Sequence, residues 1–446
     1  MFDIGFRLVK EIKKLKEDST AYIVGGAVRD YIIGRDCDDI DIATDVPMDL
    51  IENHFKTHDI GSNKDFGILV VEFENEVFEV TRYRSDGNYS DGRRPDGVEV
   101  GVDIETDSCR RDFTINAMYM DENENILDFH GGKADIANKI VRCVGDSDIR
   151  LTEDYLRMFR AFRFSSVLDF DIDDDILQTI GGYGYNIKQI STERIWKELW
   201  KMASGIRFSQ NIGIMYELEF LQEIFPEFKN MHNYPHYRHH HPEGSVYHHT
   251  IGVIANLDDK SAVVKLAGLF HDIGKLRAYE KEDSGKFHYY RHEVIGLDVF
   301  DDISYRLHFP KNIINEIKYV IKNHMKFHKL LEMKDSKCIK MMDSPYWETL
   351  YKVALADDMS RLYLFDHKLW YKIDNRISEL KLKINKHKWI NDYVNGNLIM
   401  EVRNIEGGPE VGRLLSIVRT HIIDKDIDLN EYTMEHYIKP YIKGLR

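Results

Sequence analysis

The apolar pattern of this 446-residue chain changes period once, and that change restricts its fold more than any other feature. Up to about residue 145, short β-type runs (AYIVGG, DDIDIAT, ILVVEF, VFEVTRY) alternate with helical stretches and Gly/Asp-rich turns, which predicts an α+β domain. Beyond it, EDYLRMFRAFRFSSVL, TERIWKELWKM, SAVVKLAGLFHDIGK and IINEIKYVIKNHM space apolar residues three and four apart, so the rest reads as mostly α-helix. A chain of this length holds about two to four cores. Prolines, glycine and polar rings interrupt the helical period from Met231 to Gly244, and a looser break falls near residue 360. The expected domains are therefore 1–145, 146–230, 231–360 and 361–446.

Composition removes several classes of function. No run approaches the ~18 apolar residues of a membrane span, and the first helix lacks the apolar stretch of a signal peptide, so a soluble cytoplasmic protein is expected. Cys37, Cys109, Cys143 and Cys338 lie far apart without a CxxC, which argues against a disulfide framework or a thiolate metal cluster. With 61 basic and 76 acidic residues the net charge is −15, so any polyanionic partner must meet a local basic patch. Candidates are Arg82, Arg84, Arg93 and Arg94, then Arg110 and Arg111, then Arg157, Arg160 and Arg163 at intervals of three.

The segment from Ala21 to Thr44 reads as a strand, a Gly25-Gly26 turn, a short helix with Arg29 and Asp30, and then Asp39-Ile40-Asp41. Glycines at a strand-to-helix turn let backbone N–H groups approach an anion, and the helix start favours phosphate. Residues two apart on a strand share a face, so Asp39 and Asp41 project together while Ile40 and Ile42 face the core. Side-by-side carboxylates repel, and a hard cation such as Mg²⁺ between them relieves it. Glu79, on FEVTRYR, supplies a third acid. Three acids on two strands suit in-line nucleotidyl transfer assisted by metal ions. In the helical part, His249, His271-Asp272 and Asp357 offer imidazole and carboxylate ligands from three helices, a mixture that suits Mn, Fe, Co, Ni or Zn without selecting among them. Spacing admits Asp358 as well as Asp357 for the last ligand.

The ordered segments IVGGAVRDYIIGRDCDDIDIAT, YSDGRRPD, RRDFTINAMYMD, EDYLRMFRAFRF and STERIWKEL resemble the successive motifs of the bacterial-type (class II) tRNA nucleotidyltransferases and poly(A) polymerases. The resemblance implies a polymerase-beta-like nucleotidyltransferase head followed by a mostly α-helical neck and tail. It also implies Mg²⁺ on Asp39 and Asp41, beside which Glu79, from its place on the neighbouring strand, is the candidate third catalytic acid. Triphosphate contacts would come from Gly25, Gly26, Arg29 and Arg111, the last with Asp112 beside it. In the family, the aspartate and arginine of EDxxR read the incoming base, and these roles carry over to Asp154 and Arg157. Arg160 and Arg163 would meet phosphate or hold the helix. Cytosine and adenine both offer an amino donor beside a ring-nitrogen acceptor, so a carboxylate beside a guanidinium takes CTP and ATP and rejects UTP and GTP. The family's loop, here Ser85 to Val100, is shortened in enzymes that add only CC; its presence favours terminal A addition.

The helical ligand set, within HPEGSVYHHT, AGLFHDIGK and VALADDMS, resembles an HD phosphohydrolase domain. His292 and His324 stand where binuclear members place further ligands, which admits a second metal. Such a domain hydrolyses phosphate monoesters or 2′,3′-cyclic phosphates in some tRNA nucleotidyltransferases and is generally lacking in the related poly(A) polymerases. YVNGNLIM and GGPEVGRLL resemble the family's tail pattern, with Asn397 where aspartate is usual. The expected function is template-independent CCA addition to tRNA from CTP and ATP. The rivals are a poly(A) polymerase and an HD hydrolase with a non-catalytic RNA-binding head. The oligomeric state is left open.

Overall fold

The computed structural model describes every residue except 38, 59–66, 88, 90, 91, 93, 94, 236–243, 258, 285, 362, 363, 387–389 and 446. Arg93 and Arg94, expected in a basic patch, lie outside the described residues. The chain forms two compact units: Met1–Met231 with Asp258–Leu266 and Asp301–Pro310, and His232–Leu257 with Ala267–Phe300 and Lys311–Arg446.

The first unit is built on a sheet. Its strands are β1 (Ala21–Val24), β2 (Asp41–Thr44), β3 (Lys56–His58), β4 (Ile68–Phe73) and β5 (Glu76–Arg82), then a separate hairpin of β6 (Arg84–Asp86) and β7 (Val98–Val100), then β8 (Met118–Met120) and β9 (Ile126–Asp128). Among the described residues seven strands pair in the order β3-β4-β5-β2-β1-β8-β9. All neighbours run antiparallel except β2 and β5, which are parallel and place Asp41 opposite Glu79. Alternation along these strands buries Ile23, Ile42, Val71, Phe78 and Val80 completely.

Helices of this unit are α1 (Phe2–Lys13), α2 (Gly26–Ile33), α3 (Met48–His54), α4 (Ile104–Cys109), α5 (Gly132–Asn138), α6 (Ser147–Glu153), α7 (Leu156–Leu168), α8 (Asp174–Tyr183), α9 (Thr192–Ala203), α10 (Phe208–Glu217) and α11 (Phe220–Ile224). α2 starts where Gly25 takes φ 72°, a backbone region that glycine enters without strain. The helix expected to start near Glu153 is interrupted there. Asp154 adopts extended angles (φ −136°, ψ 104°), and its Oδ1 accepts from the Leu156 N–H at 3.1 Å. A short acidic side chain thus competes with the backbone and separates α6 from α7. α7 packs on α9, and Phe162 stacks on Phe220 with ring centroids 5.7 Å apart.

The second unit is helical, with a small strand pair, Glu280–Lys281 and Phe287–His288. Its chain runs through α12 (Val246–Ala255), α13 (Ala262–Phe270, begun in the first unit), α14 (Lys275–Ala278), α15 (His292–Arg306), α16 (Lys311–Phe327), α17 (Asp335–Met342) and α18 (Trp347–Ser360). α19 (His367–Lys386), α20 (Ile390–Tyr393), α21 (Gly396–Arg403), α22 (Pro409–Asp424), α23 (Glu431–Thr433) and α24 (Lys439–Gly444) follow. From α20 onward a separate apolar cluster forms around Val394, Ile399, Leu414, Val418, Ile422, Ile438 and Ile442, all fully buried. Asn395 caps α21 by accepting from the Leu398 N–H at 3.1 Å. Among the described residues no helix is long and apolar enough to cross a membrane. The four cysteines are free thiols.

Leu414→Ala should leave a cavity in the tail cluster and cost it about 2–5 kcal/mol. Hydrogen exchange of the amides between 396 and 442 reads this directly, and wild-type protection in the variant would contradict the assignment.

Candidate functional site

In the first unit a cavity of about 530 Å³ opens where β1, β2, α2, α7 and α9 present their ends. Seven arginines and four aspartates line it, so this wall is cationic within an acidic chain. The sequence-predicted residues Gly25, Gly26, Arg29, Asp39, Asp41, Arg111, Asp112, Asp154, Arg157, Arg160 and Arg163 all line this space.

Asp41 opens β2, while Asp39 lies just before the strand and is exposed; both face the cavity. Glu79 is not among the lining residues, but the parallel register sets it beside Asp41. Burial, then the charges of Glu79 and Asp39, push the Asp41 carboxyl up to about 6, against the opposing pull of Arg111. Burial, then Asp39, also raises Glu79. Three oxygen-ligand acids that cannot comfortably ionise together fit a hard divalent cation.

The cations are held individually. Arg29 donates through Nη1 to Asn116 Oδ1 at 2.6 Å and forks onto its neighbour Asp30. Asn116 in turn donates to Asp112 Oδ1 at 3.1 Å, and Arg160 Nε reaches Asp112 Oδ2 at 2.8 Å. Burial alone would raise the Asp112 carboxyl, but Arg160 and these donors hold it well below the ordinary carboxylate range. Arg163 pairs with Glu198 at 3.1 Å; burial and the adjacent Arg160 lower its guanidinium to about 10.

The side chains of Asp154 and Arg157 do not pair with each other in this structure. Asp154 Oδ2 accepts from Arg194 at 3.0 Å. Arg157 is buried, and donates to Glu153 at 2.5 Å and to the carbonyls of Arg150 (2.9 Å) and Arg110 (3.1 Å). Asn116, Phe164 and Arg194 also line the cavity and were given no site role from sequence, and Arg110, read there only as part of a basic patch, joins them. The only available signal was their position inside the RRDFTIN, EDYLRMFRAFRF and STERIWKEL segments.

In the second unit six side chains from five segments converge. His249 Nε2 lies 3.2 Å from Asp357 Oδ1 and 3.4 Å from Asp272 Oδ2. His271 Nε2 is 3.3 Å from Asp272 Oδ2, and His292 and His324 approach Asp272 Oδ1 at 3.2 and 3.4 Å. Asp272 therefore belongs to two potential ligand groups, His249/His271/Asp272 and Asp272/His292/His324. Of the two aspartates left open by spacing, Asp357 meets His249, whereas Asp358 accepts from Trp370 Nε1 (2.8 Å) and Arg361 (3.0 Å).

Hydrogen bonding fixes the imidazole tautomers. The Nδ1 atoms of His271, His292 and His324 each face a backbone carbonyl, of Gly268, Tyr289 and Ile321, at 2.8 to 2.9 Å and must be N–H donors. In the neutral ring the Nε2 atom then carries the lone pair, and the Nε2 atoms of His292 and His324 face each other across 3.1 Å. Burial keeps His324 below its ordinary pKa, which favours this neutral form. His271 Nε2 and Asp272 Oδ1 are buried without a hydrogen-bond partner among the described residues. Facing lone pairs and orphaned acceptors are the signature of a cation site, and the mixed N/O donors suit a transition metal. Two residues were missed from sequence: Lys275, 2.5 Å from Asp272 Oδ2, and His328, 3.2 Å from Asp357 Oδ2. The Ile-Gly-Lys after His-Asp and the four-residue interval from His324 were the available cues.

Comparison with known proteins agrees with this layout. Residues 21–142 match the model of the Poly A polymerase head domain, 169–231 that of the "Probable RNA and SrmB- binding site of polymerase A", and 240–346 the HD domain. A CCA-adding enzyme of Staphylococcus aureus (strain MRSA252) is 42% identical over 199 residues, covering 45% of this chain and 50% of the relative. That of Staphylococcus epidermidis is 40% identical over 221 residues, covering 49% and 54%. The chain thus spans about half the length of the curated relatives it matches. Among solved structures, the Bacillus stearothermophilus CCA-adding enzyme in complex with CTP superposes with a TM-score of 0.68 at 23% identity, covering 99% of this chain and 96% of that one. The Thermotoga maritima CCA-adding enzyme complexed with tRNA gives 0.61 at 18%, covering 98% and 94%. At these identities the likeness shows a shared fold.

Because burial and like charge raise the Asp41 carboxyl to about 6, this group holds a proton more readily in the folded protein than in the unfolded chain between about 4 and 6. Its contribution to stability therefore falls as pH rises through that window. Asp41→Asn should stabilise the metal-free protein by about 1–2 kcal/mol at pH 7.5, with the gain gone near pH 4. Denaturant melts across this range check the sign.

Proposed function

We propose that this chain, which carries a poly A polymerase head domain and an HD domain and whose homologues are CCA-adding enzymes, adds CCA to the 3′ end of tRNA from CTP and ATP in the cytoplasm. The observation that carries this reading is that Asp154 and Arg157 open on the same cavity as Asp39, Asp41 and Arg111. A base reader, a carboxylate pair and a phosphate grip thus share one space. We assign 1–145 to the head, 146–230 to the neck, 231–360 to the HD domain and 361–446 to the tail that holds tRNA.

Asp154 accepts from the exocyclic amino group and Arg157 donates to the ring nitrogen, a pattern that cytosine and adenine share. Because Arg194 and Glu153 hold these two side chains separately, neither neutralises the other, and both keep a direction set by the fold. A uracil or guanine would face them with a carbonyl and a ring N–H, leaving buried polar groups unmet at about 1–3 kcal/mol each. Arg29, Arg111 and the N–H groups at the start of α2 bind the triphosphate and stabilise negative charge on the departing pyrophosphate. Asp39 and Asp41, with Glu79 adjacent, would hold Mg²⁺, which when bound activates the RNA 3′-hydroxyl and neutralises phosphate charge.

The His249/His271/Asp272/Asp357 cluster, extended by His292 and His324, supports a second activity, metal-dependent phosphohydrolysis. It is favoured by the facing imidazole lone pairs. The metal ion would supply an activated water there.

A tRNA ending at its discriminator base, given labelled CTP and ATP separately and together, should gain CC and then CCA. Unlimited ATP addition to generic RNA without CTP would identify a poly(A) polymerase instead. Asp41→Ala should reduce incorporation at least 10³-fold, an effect typical of removing an essential electrostatic group. Asp272→Ala should abolish phosphatase activity on a 2′,3′-cyclic phosphate substrate and leave CCA addition intact; loss of both together would count against independent sites.

A further inference from the structure

Asp107 lies outside the cavity lining and is completely buried near the end of α4. Its carboxylate accepts five hydrogen bonds. Oδ1 takes the Arg84 backbone N–H (3.0 Å) and both Nε and Nη2 of Arg110 (3.0 and 2.9 Å). Oδ2 takes Arg111 Nη2 (3.2 Å) and the Tyr119 hydroxyl (2.6 Å). The network closes on itself. Tyr119 Oη also accepts from Arg111 Nε at 3.1 Å, and Arg110 Nε also donates to the Arg84 carbonyl at 3.1 Å. The Arg110 carbonyl meanwhile accepts from Arg157 Nη2.

Two adjacent guanidiniums at one cavity wall repel, and without a shared anion each would swing toward solvent. A buried carboxylate with every lone-pair direction occupied fixes both at once, in a planar fork geometry that ammonium groups cannot match. Its position matters as much as its charge. It joins the start of the β6–β7 hairpin (Arg84), the two cavity arginines and β8 (Tyr119), and through the Arg110 backbone it reaches the base-reading Arg157.

We propose that Asp107 is the positioning residue of the nucleotide site, aiming Arg111 at the triphosphate and steadying the Arg110 carbonyl that anchors Arg157. This rests on the reading of the cavity as a nucleoside triphosphate site. Positioning and plain electrostatics predict opposite signs. Removing a negative charge beside arginines strengthens their attraction for phosphate, so a charge effect alone would tighten nucleotide binding when Asp107 becomes Asn. Positioning requires that it weaken.

The test compares the full-length wild-type protein with Asp107→Asn and Tyr119→Phe. The second variant keeps the carboxylate and the ring packing and removes only the hydroxyl that bridges Asp107 to Arg111. Equilibrium dialysis of labelled CTP, with no tRNA present, is expected to show about 10-fold weaker binding for Asp107→Asn and about 3-fold for Tyr119→Phe. Cytidine binding should change less than CTP binding. In the tRNA assay KM for CTP and ATP should rise more than kcat falls, and UTP misincorporation should increase several-fold. Unchanged or tighter CTP binding in folded Asp107→Asn would overturn the proposal; if that variant does not fold, unchanged CTP binding by Tyr119→Phe would do the same. A wild-type protein that binds CTP but extends no tRNA would sink the proposed function while leaving this test intact.

Discussion

Parallel pairing of two short strands sets Glu79 beside Asp41, and Asp39 joins them from the segment that leads into the strand. The resulting crowding of like charge is the constraint around which the first unit is arranged. Backbone hydrogen bonds hold the strands in register, so the acids cannot separate to relieve it. Burial of Ile40, Ile42, Phe78 and Val80 on the opposite face makes a slip by one residue costly, since it would exchange carboxylates for core side chains. The fold thus stores an electrostatic cost that a bound cation can offset, which is how a pre-organised site differs from a solvated acidic patch.

Across the same cavity the problem is inverted, with many guanidiniums close together. Arg160 has Asp112, Arg163 has Glu198, Arg157 has Glu153, and Arg110 and Arg111 share Asp107. These pairs explain how a chain of net charge −15 can present seven arginines at one cavity. The acids that hold the arginines mostly sit behind them, so the guanidinium faces point to the cavity while total charge stays low. The His/Asp cluster of the second unit is oriented by the same logic. Backbone carbonyls take the outer ring N–H groups, which turns the inner nitrogens into lone-pair donors aimed at one another.

Much of this was legible before folding. The single change of apolar period separated a mixed head from a helical remainder, because burial patterning follows the repeat of each secondary structure. Asp39, Asp41, Arg111, Asp154 and Arg157 were readable because their chemistry depends on short spacings within a motif. Less legible were partners far apart in sequence. Arg194 on α9 holds Asp154 across forty residues, and Asp107 reaches Arg84 and Tyr119 on other elements. Asp154 and Arg157 do not share a helix, for a local reason: Asp154 is extended between α6 and α7, and its Oδ1 takes the Leu156 N–H.

By itself the sequence indicated a mixed head followed by a helical remainder, and it pointed to the acids, arginines and imidazoles that the structure gathers into two clusters, since each lies in a local spacing. Only the tertiary structure set Asp357 rather than Asp358 against His249, brought Lys275 and His328 to the second cluster, and gave the cavity arginines their acids, with Arg110 and Arg111 sharing one. Those outcomes depend on which side chains meet across packed helices and paired strands. One-residue shifts along a helix turn a side chain by about 100°, so neighbours with identical chemistry end up with different partners.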